Sequence, residues 1–280
     1  MHNYRDKQLS IMNKLKGQVS KSLAKKPDGC LQIHKKNNGF EYYYRATPNQ
    51  KNGTYISKKK NMDFIRALAQ KSYDQEFAAA LTSFEKMLDS TWDYSSMHPF
   101  YQYFAAVFEN LTPARQKLVN PYIMTDEMYI KAWQSVKYTG KPFDEDDPVI
   151  KTRRGERVRS KSEKMIADQL LVMGLPYRYE YPIQTKRWGK VYIDFTFLDI
   201  WNRINVIYEH FGRMQEKSYC NRNLTKLEVY EEEGWHLGES FLFTMESDEH
   251  IINMDHFENL IRYRFPWLPA FSQQSEMFCN

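Results

Sequence analysis

Val191-Tyr192-Ile193-Asp194-Phe195-Thr196-Phe197 and Val206-Ile207-Tyr208-Glu209-His210-Phe211 are two runs of β-branched and aromatic residues, each carrying one carboxylate. Their composition predicts two strands, Val191 to Leu198 and Ile204 to Phe211, joined through Leu198 to Asn205. A carboxylate inside so apolar a strand is costly unless something neutralises it. If the strands are neighbours, Asp194 and Glu209 reach one face of the sheet, where a hard cation such as Mg²⁺ takes oxygen ligands. Glu163, in Arg159-Ser160-Lys161-Ser162-Glu163, can supply a third oxygen. It can equally cap its helix or pair with Arg159 or Lys164. For Asp194 and Glu209 the competing role is structural, as partners of Arg213 or Lys190.

Working outward, Val158 to Met173 reads as a helix stopped by Gly174-Leu175-Pro176, and Tyr177 to Ile183 as a strand. Beyond the two central strands come a helix from Tyr219 to Glu233, a strand from Ser240 to Thr244 and a helix from about His256 to Tyr263. The order α, β, β, β, α, β, α predicts an α/β (α+β) domain, a mixed sheet flanked by helices. Lys141-Pro142-Phe143-Asp144-Glu145-Asp146-Asp147-Pro148, with two prolines and four acids, marks the boundary between residues 1–148 and 149–280.

Upstream, Leu9, Met12, Leu15, Val19 and Leu23 form the stripe of an amphipathic helix over residues 5–26. Leu31 to His34, the turn Asn37-Asn38-Gly39 and Phe40 to Tyr44 predict a β-hairpin. A third strand near Gly53 to Ile56 and a helix from Met62 to Leu88 complete a small α/β module of about residues 1–90. Residues 97–138 read as helical, with Phe100, Phe104 and Phe108 as core rather than as base-stacking rings.

Of 280 residues 42% are hydrophobic and 15% aromatic, with 11 Gly and 11 Pro, which excludes a disordered or collagen-like chain. No run of 18 apolar residues occurs, and Met1 to Asp6 lacks the apolar core of a signal peptide, so a cytoplasmic protein without a membrane partner is expected. Cys30, Cys220 and Cys279 are too far apart to read as a disulfide framework or a zinc ribbon, and incidental thiols are expected. Residues 1–71 hold 16 Lys and Arg against 4 Asp and Glu. So basic a segment attracts phosphate backbones, unless it is simply a solvated surface. Lys35, Lys36 and Arg45 flank Tyr42, Tyr43 and Tyr44, of which the first and last face one way and Tyr43 the other, so that cations and rings here can meet nucleic acid.

Arg154-Gly155-Glu156-Arg157-Val158-Arg159-Ser160-Lys161-Ser162-Glu163, Tyr177-Arg178-Tyr179-Glu180, Ile193-Asp194-Phe195 and Tyr208-Glu209-His210-Phe211-Gly212-Arg213-Met214 follow one another on helix, strand, strand and strand. In that order they resemble the PD-(D/E)XK nuclease superfamily, whose restriction-endonuclease-like core is α-β-β-β-α-β. Residues 153–246 look like a group of uncharacterised bacterial and phage chains within it. The resemblance implies a metal-binding Asp on the second strand, here Asp194, and a (D/E)-X-K on the third, here beginning at Glu209. Ile193 stands where the signature has proline, and Phe211 where it has lysine. In some members the basic residue has moved to the following helix, where Tyr219, Arg222, Lys226 and Tyr230 make a stripe. Lys226 is the first choice for that role and His210 the second.

Hydrolysis of phosphodiester bonds with Mg²⁺ or Mn²⁺ is then implied, with Asp194, Glu209, Lys226 and Glu163 as the site and DNA ahead of RNA as substrate. Arg154, Arg157, Arg159, Lys161 and Arg222 would grip phosphates. Phage defence and the processing of phage or mobile-element DNA are compatible settings. Phe211 favours the alternative, a catalytically silent nuclease fold that binds nucleic acid or a partner.

Overall fold

A computed structural model of the chain describes residues 4–88, 92 and 94–269. Cys279 and residues 1–3 lie outside them. The chain forms two compact units, Met1–Tyr129 and Ile130–Asn280. The division falls earlier than the proline-rich acidic stretch at 141–148. Its reason is local: Trp133 Nε1 donates to Asn205 Oδ1 (2.8 Å), Tyr138 OH donates to the Tyr179 carbonyl (2.9 Å), and the Arg178 guanidinium lies 3.9 Å above the Trp133 ring. Residues 130–138 are thereby tied to the second unit.

The first unit runs α1 (Arg5–Leu23), β1 (Cys30–Lys36), β2 (Gly39–Arg45), β3 (Thr54–Ile56), α2 (Lys58–Met87), α3 (His98–Glu109) and α4 (Pro113–Gln116). The three strands form an antiparallel sheet in chain order, with Tyr42 opposite both Ile33 and Ile56. Leu31, Tyr42 and Ile56 are buried with Met12, Leu15 and Val19 of α1 and with Leu68, Phe77 and Phe84 of α2. The helical stretch expected over 97–138 divides at Thr112-Pro113, because Pro113 takes the first position of α4 and cannot continue α3. It is followed by α5 (Asp126–Gln134). Phe100, Phe104 and Phe108 are buried as expected. Asp74, without exposure, accepts from Ser22 Oγ (2.6 Å), Gln70 Nε2 (2.8 Å) and Tyr122 OH (2.9 Å), which satisfies a charge that burial alone would penalise.

The second unit begins with a two-residue ribbon, β4 (Ile150–Lys151) against β5 (Arg157–Val158), and continues with α6 (Lys161–Met173), β6 (Tyr177–Thr185), β7 (Gly189–Asp199), β8 (Ile204–Phe211), α7 (Lys217–Glu232), β9 (Phe241–Met245) and α8 (Met254–Arg264). α6 starts later than the expected Val158. Val158 is in β5, and Ser160 caps the helix by accepting from the Glu163 backbone N–H. Its other end is Gly174, at φ +74°, a left-handed cap that glycine adopts without cost. The sheet order is β6-β7-β8-β9, antiparallel except for the parallel β8–β9 pair. It is therefore a mixed sheet flanked by helices.

One sheet face packs on α6 and α8 through Phe195, Phe197, Val206 and Tyr208, against Ile166, Leu170, Phe257 and Ile261. The other packs on α7 through Ile193, Ile207, Phe211 and Phe241, against Tyr230. Along β8 the alternation is regular. Along β7 it is not, since Ile193 and Phe195, two residues apart, join opposite faces. The switch falls where the ladder between β6 and β7 omits the Glu180–Asp194 pair and the ladder between β7 and β8 ends, at Phe195 opposite Tyr208. Glu180 sits there at φ +48°, a conformation uncommon outside glycine. Asp194 thus stands at a fork in the sheet. Among the described residues no helix is long and apolar enough to cross a membrane.

Candidate active site

The fork leaves the His210 backbone N–H without the strand partner it would otherwise have. Asp194 supplies one: its Oδ2 accepts that N–H at 2.8 Å. The ladder stops at the Phe195–Tyr208 pair, one step short of Asp194 and Glu209, and Asp194 lies close enough to Glu209 and to Lys226 of α7 to act on both. Glu209 is 1% exposed, and α7 covers it with two donors. Lys226 Nζ lies 2.9 Å from Glu209 Oε2, and Tyr230 OH donates to Oε1 at 2.5 Å. These two side chains are four residues apart, one helical turn, which is why one helix can hold both oxygens.

The electrostatics follow from this packing. The Asp194 carboxyl is enclosed, and burial raises its pKa well above the ordinary carboxylate value. The Glu209 charge adds to the rise, as does Glu163 more weakly, while Lys226 and the His210 N–H oppose it. Burial works against the Lys226 ammonium, but Glu209 and then Asp194 outweigh it and hold its pKa above the usual lysine value. The Tyr230 phenol is raised by burial and by Glu209 beside it, so it stays protonated and remains a donor. With Asp194 driven toward its neutral form, the ion pair of the pocket is the one between Lys226 and Glu209. A divalent cation beside Asp194 would favour its ionised form again, and Mg²⁺ is commonly held by one or two carboxylates completed by water and substrate oxygens. Among the described residues no group of three or more His, Cys, Asp or Glu side chains could hold a metal ion.

Glu163 lies close enough to act on Asp194, yet its Oε2 accepts from the Arg159 backbone N–H (2.8 Å) and from Tyr179 OH (2.6 Å). Together with the Ser160 cap this is a variant of the capping arrangement, and it orients the start of α6. Phe211 is buried among Tyr230, Phe241 and Phe243 on the α7 face, at the position the resemblance assigns to lysine. The amine of Lys226 enters from the helix instead. His210 points to the other face, where Nδ1 meets Thr244 Oγ1 (2.9 Å) and Nε2 lies 3.3 Å from Glu246 Oε1. Arg213 pairs with Glu216 rather than with either central acid, and Lys190 lies opposite Gln184.

The arginines at the start of α6 are less available than their charge implies. Arg159 is bound to Glu180 (2.5 Å), to Asp147 (3.0 Å) and to the carbonyls of Lys141 and Pro142. Arg157 donates to the Asp147 carbonyl (2.6 Å), and both guanidiniums lie over the Phe143 ring. These two arginines clamp the 141–147 segment. Arg154 stacks on Tyr177 at 4.5 Å and lies 3.6 Å from Glu156. Lys161 and Arg222 are exposed, the latter 5.8 Å from the Tyr219 ring. In the first unit Lys35 and Lys36 are exposed, Lys36 standing 3.6 Å from Glu41, and Arg45 donates to the carbonyls of Pro48 and Lys51. Sequence reasoning placed Tyr230 on the Lys226 stripe without giving it a role. The signal was available, since a tyrosine one turn from the lysine shares its face.

Compared with protein-family models, with curated proteins and with solved structures, the chain has no significant match.

Proposed function

We propose that the chain is a metal-dependent nuclease of the PD-(D/E)XK type whose lysine comes from α7. The observation that carries the reading is the convergence of Asp194, Glu209 and Lys226 at the sheet fork, with Lys226 Nζ 2.9 Å from Glu209. Mg²⁺ or Mn²⁺ on Asp194 and Glu209 would supply Lewis-acid polarisation of the phosphoryl oxygen and a more acidic water. Lys226, its side chain 30% exposed, keeps a face open to substrate and sets a fixed positive charge where negative charge grows on the phosphate. Tyr230 orients Glu209 by donating to the oxygen that Lys226 does not take. Asp194, anchored by the His210 N–H, cannot swing away from the fork. DNA is the substrate we favour, with phage defence or mobile-element processing as the setting, in the cytoplasm.

A second reading, a silent nuclease fold that binds without cutting, is favoured by one observation. Both Glu209 oxygens are already engaged by Lys226 and Tyr230. The test incubates plasmid, linear duplex, single-stranded DNA and RNA with the protein and Mg²⁺ or Mn²⁺, beside Asp194→Ala and Lys226→Ala. Metal-dependent cutting lost in both variants supports the nuclease. Cutting retained in Asp194→Ala refutes the assigned site, and retardation without cutting, unchanged by EDTA, supports the binding protein.

A further inference from the structure

The small sheet of the first unit has two unlike faces. Leu31, Tyr42 and Ile56 point into the core. The residues that alternate with them do not: Gln32, His34 and Lys36 of β1, Glu41, Tyr43 and Arg45 of β2, and Tyr55 of β3 share the outer face. Its centre is aromatic. The ring centroids of His34 and Tyr43 are 5.0 Å apart and those of Tyr43 and Tyr55 5.7 Å, so three rings from three adjacent strands form a row. Tyr55 is 59% exposed and His34 is exposed, although aromatic groups of this size normally cover themselves. Gly53 permits the row: a Cβ there would lie 2.9 Å from Tyr43 Cβ and 3.0 Å from the Tyr44 carbonyl, so only glycine lets the approach to β3 run this close to Tyr43.

The rim of the row is basic. Lys36 and Arg45 lie on the same face at opposite ends, within a segment that has four times as many cations as acids. Arg45 is held by the carbonyls of Pro48 and Lys51, which fixes its guanidinium without neutralising it. Glu41 accepts the Tyr43 hydroxyl at 2.9 Å and lies 3.6 Å from Lys36, so it positions the central ring and sets an acid between the cations. That arrangement places phosphates at the rim and uncharged rings at the centre. We propose that the outer face of β1–β3 is a platform for single-stranded nucleic acid, with Tyr43, Tyr55 and His34 stacking on unpaired bases and Lys36 and Arg45 meeting the flanking phosphates. Aromatic faces select single strands because duplex bases are stacked on one another and offer only their edges. The platform shares no residue with the carboxylate fork.

The test is fluorescence anisotropy in EDTA with the full chain and a labelled single-stranded DNA, the same sequence as RNA, and the corresponding duplex. Single strands are expected to bind more tightly than duplex, and the DNA and RNA arms show which sugar is preferred. Each of Tyr43→Leu and Tyr55→Leu is expected to weaken single-strand binding by about five- to a hundred-fold, the usual worth of one base-stacking ring. Tyr55→Trp, which keeps a ring, is expected to retain it. Tyr55 is exposed enough that its replacement leaves the urea midpoint almost unchanged, which separates lost stacking from lost folding. Duplex binding as tight as single-strand binding, unchanged affinity in Tyr55→Leu, or no binding of any probe overturns the proposal. Binding is read in EDTA and cutting with added metal, each for the parent protein and for the Tyr43 and Tyr55 variants. A failed active-site reading therefore appears as binding without metal-dependent cutting, and a failed platform as cutting that is indifferent to Tyr43 and Tyr55.

Discussion

Replacing Lys226 with methionine keeps most of the side-chain volume and removes the ammonium 2.9 Å from Glu209 Oε2. Breaking a fully buried ion pair costs about 3–5 kcal/mol, because the remaining charge has no compensation. Here Glu209 is 1% exposed but Lys226 is 30% exposed, and Tyr230 still serves the second oxygen. The expected loss is therefore smaller, about 2–3 kcal/mol. Glu209→Gln should cost less, about 1–2 kcal/mol, since the stranded ammonium can turn toward water. Independent effects would sum in the double variant. A real pair predicts that Lys226→Met with Glu209→Gln is little worse than Lys226→Met alone, a coupling of about 1–2 kcal/mol, well beyond the roughly 0.3–0.5 kcal/mol scatter of additive pairs. Urea denaturation in EDTA with a common slope measures all four proteins. Coupling within that scatter would refute the pairing, and with it the argument that α7 supplies the missing lysine. Activity adds an independent reading. Under the nuclease proposal Lys226→Met lowers the cleavage rate about 10²–10³-fold, the usual scale for removing one charge-stabilising donor.

Three further outcomes follow from the same geometry. Asp194→Asn, which removes a carboxyl whose ionised form burial and Glu209 both disfavour and keeps an acceptor for the His210 N–H, should raise metal-free stability by about 1–2 kcal/mol, read as a higher urea midpoint, while abolishing any cleavage. Tyr230→Phe leaves a buried Glu209 oxygen without its donor and should cost about 1–3 kcal/mol, measured in the same way. Asp168 is opposed by burial, but the Arg153 backbone N–H at 2.6 Å and Lys164 at 2.5 Å together lower its pKa. A lowered carboxyl stabilises the fold above its unfolded value and loses that contribution as pH falls through the folded one. Asp168→Asn should therefore cost about 1–2 kcal/mol at neutral pH, with the penalty shrinking as the pH drops below the ordinary aspartate value of 3.8. A penalty constant from neutral to acid pH would contradict it.

Much of this protein is written in local pattern. The alternation in Val206 to Phe211 fixes a strand whose Glu209 and Phe211 share a face and whose His210 does not, and the side chains lie that way. The apolar spacing of α1 and α3, and the turn at Asn37-Asn38-Gly39, likewise need only neighbouring residues. The stripe of Tyr219, Lys226 and Tyr230 gives the helix face by periodicity alone, while Arg222, counted with it, is exposed. What local pattern could not carry is the switch of sheet face at Asp194. That switch coincides with Glu180 at φ +48° on a different strand, its carboxylate bound by Arg159. The fate of the arginines was equally hidden, because their charge is a property of sequence whereas their engagement by Asp147 and Phe143 arises only when residues 141–147 fold back. Period and composition act over a few residues, and so the chain by itself determined which elements form and which side of each is apolar. Only the tertiary structure decided which charges meet, since burial and pairing depend on neighbours distant in sequence, and a carboxylate's character is set by those neighbours rather than by its own residue type.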